Sequence, residues 1–187
     1  MRWRVWGGLL LAVLLVAGGW AVFQNRLGNS RSSVSGRLNV VVTTPVLYSL
    51  TAKVLGDRGT LTNLVPPGAS PENYALRPQD AEALERADVL VRIGLEFDRF
   101  LERALTEAQR RGAVVITASD GIPTRPLEAH GHAEGADART KEEGAPDPHI
   151  WVDPLRAVSM VENIAAGLSA VDPAGADVYE ERAAAAA

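Results

Sequence analysis

The chain has no cysteine among its 187 residues. That excludes disulfides, thiolate metal sites and cysteine nucleophiles, and it removes the usual point of lipid attachment at an exported N-terminus. Histidine is scarce as well: His130, His132 and His149 are the only three, all within one short stretch. Positive charge is not in excess. The formal net charge is -4 and the sequence pI is about 5.4, which argues against a nucleic-acid partner, since phosphate binding needs a basic face. No glycine-rich phosphate loop follows the first apolar run, so a nucleotide-binding reading is poor. No G-x-S-x-G elbow is present either, and a serine-hydrolase reading is poor for that reason. No internal repeat is visible. A divalent metal held by this chain would have to use imidazole and carboxylate.

The features that are present begin with a hydrophobic N-terminus. Arg2 and Arg4 precede the run "VWGGLLLAVLLVAGGWAVF", Val5 to Phe23. About nineteen apolar residues at a helical rise of about 1.5 Å span roughly the hydrocarbon core of a bilayer. Ala17-Gly18-Gly19 offers a cleavage site, yet Trp20 to Phe23 carry the run past it. A signal peptide and an uncleaved signal-anchor over residues 1–24 therefore both stand, and both export the remainder of the chain. Residues 25–37 are polar and rich in Ser, Gly and Asn, the composition of a flexible linker.

Beyond the linker, short β-branched runs alternate with helical periodicity. Leu38–Thr43, Thr60–Val65, Val89–Ile93 and Ala113–Thr117 read as strands. Helices are expected from Pro45 to Gly56 and from Gln79 to Ala87, with Pro78 near the first turn. A third is expected over the stretch in which Phe97, Phe100, Leu101, Ala104, Leu105 and Ala108 form one apolar face. The alternation predicts an α/β fold: a parallel four-stranded sheet with helices on both faces. Ligands in such sheets bind beyond the carboxyl ends of the strands. That rim collects the loops at 43–45, 66–78, 94–96 and 118–154. Residues 118–148 are too long for an ordinary connection and read as a solvated, histidine-containing loop. Asp153 and Pro154 then cap and open a helix through Leu168. Asp172-Pro173 ends it, and "DVYEERAAAAA" starts another.

Two rim residues are the candidate metal ligands. His149 lies between two Asp-Pro steps in "DPHIWVDP", where the backbone has little freedom. Taken alone, it reads as a ligand or as a turn histidine bonded to a neighbouring carboxylate, and composition favours the second. Glu72, in "SPENY", is a carboxylate facing the ligand side or a surface glutamate. His130 and His132 either collect metal weakly or are incidental. Asp147 and Asp153 read as turn and cap residues, Trp151 and Tyr74 as walls of the rim, and Phe97, Phe100 and Leu101 as core.

Together "NVVVTTPVLYSLTAKVLGD", "LVPPGASPENYALRPQDAEALERADVLVRIGLEFDRFLERAL", "DPHIWVDP" and "VDPAGADVYEERAAAA" resemble the metal-binding solute-receptor proteins of ABC importers for zinc and manganese. The resemblance runs from about Leu38 to the last residue. It implies two α/β lobes joined by one long helix, with the metal in the cleft and two ligands from each lobe. The N-terminal pair falls on His149 and on Glu72, where most members carry histidine. A carboxylate there shifts preference toward harder ions. The resemblance further implies that residues 38–175 are the first lobe, that 176–187 begin the connecting helix, and that the second lobe is missing from this chain.

The expected function is accordingly binding without catalysis. Zn²⁺ or Mn²⁺ would be captured outside the cytoplasm and passed to an ABC permease in the membrane, with residues 5–23 exporting or anchoring the chain. Two other classes compete. One is a membrane-anchored metal-dependent hydrolase with His149 as ligand and Glu72 as general base, which lacks a convincing third ligand. The other is an adhesion or scaffold domain that keeps the fold without the metal.

Overall fold

Four short runs rich in Val, Leu, Ile and Thr supply the sheet. In the computed structural model, which describes residues 37–71, 74–126 and 145–186, they form β1 (Leu38–Val42), β2 (Gly59–Asn63), β3 (Val89–Arg92) and β4 (Val114–Thr117). All pairings are parallel and the spatial order is β2-β1-β3-β4. The register sets Val42 beside Asn63 and Val91, and Arg92 beside Thr117. The predicted four-stranded parallel sheet is therefore present, with bounds within two residues of expectation. The hydrophobic run at residues 5–23 lies outside the described residues, and among those described no helix is long and apolar enough to cross a membrane.

Because side chains alternate along a strand, each strand feeds two cores. Leu38, Val40 and Val42 of β1 join Val89, Val91 and Ile93 on one face. Val41 and Leu90 face the other way. The first face is covered by α1 (Pro45–Leu55), α4 (Pro154–Val171) and α5 (Ala176–Ala186). The second is covered by α2 (Pro78–Glu85) and α3 (Glu102–Arg110). Helices thus lie on both faces, as the alternation predicts.

Helix ends obey local chemistry. Pro45, Pro78 and Pro154 open α1, α2 and α4, where a missing N–H is harmless. Asp153 Oδ1 accepts from Leu155 N at 3.0 Å, so it is the N-cap that its position suggests. Gly56, at φ 54°, closes α1 by donating its N–H to Ala52 O. In α4, a Cβ on Gly167 would come within 2.5 Å of Ile116 Cδ1, so the helix lies directly on β4.

One polar network fastens α5. Asp172, 9% exposed at the end of α4, accepts from Arg58 Nε at 2.9 Å, from Arg58 Nη2 at 2.6 Å and from the hydroxyl of fully buried Tyr179 at 2.8 Å. Arg182 adds a bond to Leu55 O at 2.8 Å and an ion pair with Asp57 at 2.8 Å. Burial pushes the Asp172 carboxyl up, but Arg58 and Tyr179 outweigh it and hold the group below its ordinary range.

Candidate functional site

In the strand order the chain turns from one side of β1 to the other between β1 and β3. The crevice at such a reversal is where open α/β sheets place their ligands. Its floor is built from Thr43 and Thr44 after β1 and from Gly94 to Asp98 after β3.

The β3 exit has an unusual backbone. Gly94, Leu95 and Glu96 stand in sequence at φ 86°, 52° and 63°. Only the first is glycine, and each of the other two costs about 1–2 kcal/mol in this left-handed region. Gly94 has no alternative: a Cβ there would lie 2.5 Å from Thr117 Cγ2 and 2.7 Å from Ser119 Oγ. The turn closes with Phe97 N donating to Gly94 O at 3.0 Å. Beneath it lies Asp98, 2% exposed. Its Oδ1 accepts from Thr43 Oγ1 at 2.6 Å and its Oδ2 from Gly94 N at 2.7 Å. Burial raises the Asp98 carboxyl above its ordinary range, against the pull of those bonds and of Arg92.

This turn corrects the expectation for Phe97. It does not begin the amphipathic helix, because α3 starts only at Glu102 after a single 3₁₀ turn at Arg99–Leu101. Phe97 and Phe100 pack against opposite faces of the sheet, Phe97 with the α1–α4–α5 core and Phe100 with the α2–α3 core. Leu101 is buried in the second core as expected.

His149 is set over this turn by the residues around it. Ile150 is buried in the core, an anchor that stabilises by about 1.5–3 kcal/mol. On the other side Asp147 N donates to Arg125 O at 2.8 Å, and Pro126 bridges Pro146. The His149 ring lies edge-on to Phe97, with centroids 6.0 Å apart, and tilted against Trp151 at 5.2 Å. Phe97 and Trp151 also meet edge-on at 5.5 Å. Trp151 thus walls the rim as its sequence position suggests, whereas Tyr74 packs edge-on against Phe100 on the far face.

Both readings of His149 meet in its hydrogen bonds. Asp147 Oδ1 accepts from the backbone N at 3.0 Å and lies 2.8 Å from the ring Nδ1. An ionised carboxylate only accepts, so Nδ1 carries the proton, and in the neutral form of the ring Nε2 is left as the acceptor. A carboxylate on the far nitrogen is also the usual partner of a metal-ligating histidine. The side chain is 43% exposed, and Nε2 has no partner among the described residues.

The second candidate, Glu72, lies outside the described residues, as do His130 and His132. The segment just after Glu72 is described. The Tyr74 hydroxyl donates to Asp80 Oδ2 at 2.6 Å, and Arg77 binds the same carboxylate through its backbone N at 2.8 Å and its guanidinium at 2.9 Å. Burial raises the Tyr74 hydroxyl first, and the Asp80 carboxylate raises it further. Arg77 also reaches Leu64 O after β2 at 3.4 Å. The end of the proline-rich loop is thereby pinned to the rim. Among the described residues no three His, Asp or Glu side chains are grouped to hold a metal.

Sequence reasoning missed Asp98 and the part played by Phe97. The available signal was an acid four residues after a glycine that directly follows an apolar strand.

A family profile described as "Zinc-uptake complex component A periplasmic", ZnuA, matches residues 40–187. The manganese ABC transporter substrate-binding lipoprotein PsaA of Streptococcus pneumoniae is 30% identical over 163 residues, covering 84% of this chain and 49% of that protein. The high-affinity zinc uptake system protein ZnuA of Bacillus subtilis is 27% identical over 181 residues, covering 95% of this chain and 56% of that protein. The Mn-bound periplasmic metal binding protein of Candidatus Liberibacter asiaticus superposes with a TM-score of 0.66 at 26% identity, over 77% of this chain and 49% of that one. The chain spans about half the length of the curated relatives it matches.

Proposed function

Since this chain belongs to the periplasmic zinc-uptake complex component A family, we propose that it is the metal-capturing N-terminal lobe of an extracytoplasmic receptor. The receptor binds Zn²⁺ or Mn²⁺ and delivers it to the membrane permease of an ABC importer. Relatives named for manganese and for zinc support the cargo class. Residues 38–175 form the lobe, 176–187 open the helix toward a second lobe, and the segment at 5–23 exports or anchors the chain. Neither the hydrolase nor the adhesion reading has a specific observation in its favour.

The observation that carries the proposal is His149 on the switch-point rim, its Nδ1 bonded to Asp147 and its Nε2 without a partner among the described residues. Glu72 is the second ligand from this lobe, and His130 and His132 serve as weaker collecting ligands. The ion needs neutral imidazole and ionised carboxylate, so affinity falls as pH drops. Two ligands hold a divalent ion poorly, so the pair from this lobe needs further ligands to bind tightly. Calorimetric titration with Zn²⁺ and Mn²⁺ tests the reading: His149→Ala should abolish the measurable heat of binding, and an unchanged affinity would remove His149 from the site.

A further inference from the structure

We infer that Asp98 is a positioning residue for the His149 ring, acting through the left-handed turn that seats Phe97 against it. In its effect on metal affinity this rests on the proposed role of His149. In its effect on ring placement it stands on geometry alone.

The geometry has three links. Asp98 spends both carboxylate oxygens on the two loops that flank the switch point, one on Thr43 Oγ1 and one on Gly94 N. It is bonded to the site's floor and not to His149. Between those bonds runs the Gly94–Leu95–Glu96 turn. Two adjacent non-glycine residues in the left-handed region persist only where their surroundings over-determine them. The third link is Phe97, the residue that follows the turn and precedes Asp98, whose ring packs nearly perpendicular to those of His149 and Trp151. One hydrogen bond from Nδ1 to Asp147 leaves an imidazole free to pivot about that bond. A ring planted against its edge stops the pivot and aims Nε2. The buried carboxylate is thus connected to the metal-facing nitrogen through one strained turn and one aromatic contact.

The test is a double-mutant cycle of Asp98→Asn and Phe97→Leu, with two readouts. Asparagine keeps the volume but takes the charge out of both bonds, and its amide nitrogen can meet Thr43 only if that hydroxyl turns to accept. The first readout is the His149 ring resonances of the metal-free chain by NMR, with the Tyr179 ring as internal control. The second is Zn²⁺ affinity by calorimetry, in the longest form of the protein that binds measurably. Asp98→Asn should shift the His149 resonances, leave those of Tyr179 in place, and weaken Zn²⁺ binding about tenfold. In the Phe97→Leu background it should cause no further loss. Thr43→Val, which removes one of the two bonds, should act in the same direction to a smaller extent and serves where Asp98→Asn does not fold. Unmoved His149 resonances, or fully additive losses, overturn the inference while leaving the metal reading intact. If instead His149→Ala leaves Zn²⁺ affinity unchanged, the metal reading fails, and the resonances alone decide the role of Asp98.

Discussion

Asp172→Asn should destabilise the fold by about 2 kcal/mol at neutral pH and by progressively less in acid. One oxygen of Asp172 accepts three hydrogen bonds, two from Arg58 and one from Tyr179. Asparagine can keep an oxygen in that place, so the partners lose only the charge. A bond to a charged group contributes about 1.5–3 kcal/mol against about 1 kcal/mol for a neutral one. The difference is about 1 kcal/mol per bond, and three bonds sharing one atom sum to less than three times that. The pH dependence follows from the lowered Asp172 carboxyl. As pH falls the unfolded chain takes up the proton first, at about pH 4. The contribution is complete above that pH and is lost as pH drops through the lower folded value. Urea unfolding of both forms, followed by circular dichroism from pH 7 to pH 3, measures the gap. A gap that stays constant over that range, or is absent at pH 7, would refute the assignment of the stabilisation to the charge.

Four further outcomes are expected. Asp147→Ala should weaken Zn²⁺ binding by about 10–100-fold, through loss of the fixed imidazole orientation, and calorimetry showing no change would mean that the Asp147 bond is incidental. Metal affinity itself should decline as pH falls, because protons compete for the metal-binding imidazole; a flat profile speaks against a histidine ligand. Gly94→Ala should cost more than about 2 kcal/mol in urea unfolding, since a methyl at φ 86° meets Thr117 and Ser119. Tyr74→Phe should cost about 1.5 kcal/mol by removing the donor to the buried Asp80 carboxylate; equal stability of the two forms would show that Arg77 alone satisfies Asp80.

The sheet was legible because each strand is a short β-branched run bounded by a turn or a proline. The order of those strands was not, since alternation of strands and helices says nothing about the side of β1 on which each crossover lands. Helix starts at Pro45, Pro78 and Pro154 could be read from proline and capping chemistry alone. Phe97 misled for a physical reason. Its spacing to Phe100 fits one helix face, yet the backbone at 94–96 is set by Asp98 reaching Thr43, a contact across 55 residues that no local window contains. His149 was visible as a constrained histidine, and its partner Asp147 is only two residues away. The site as a whole was visible only through the family resemblance, because Glu72, His130 and His132 have no periodic signature.

The first core closes with Tyr179 and Ala183 of α5 packed in the same cluster as Leu38 of β1. On a ribosome those partners are made far apart in time. At about 5–20 residues per second, the strand that opens this domain waits on the order of ten seconds for the last of the helices that cover it. For most of that interval α1 is the only helix made of the three that cover this face, so the face stays partly open until α4 and α5 arrive.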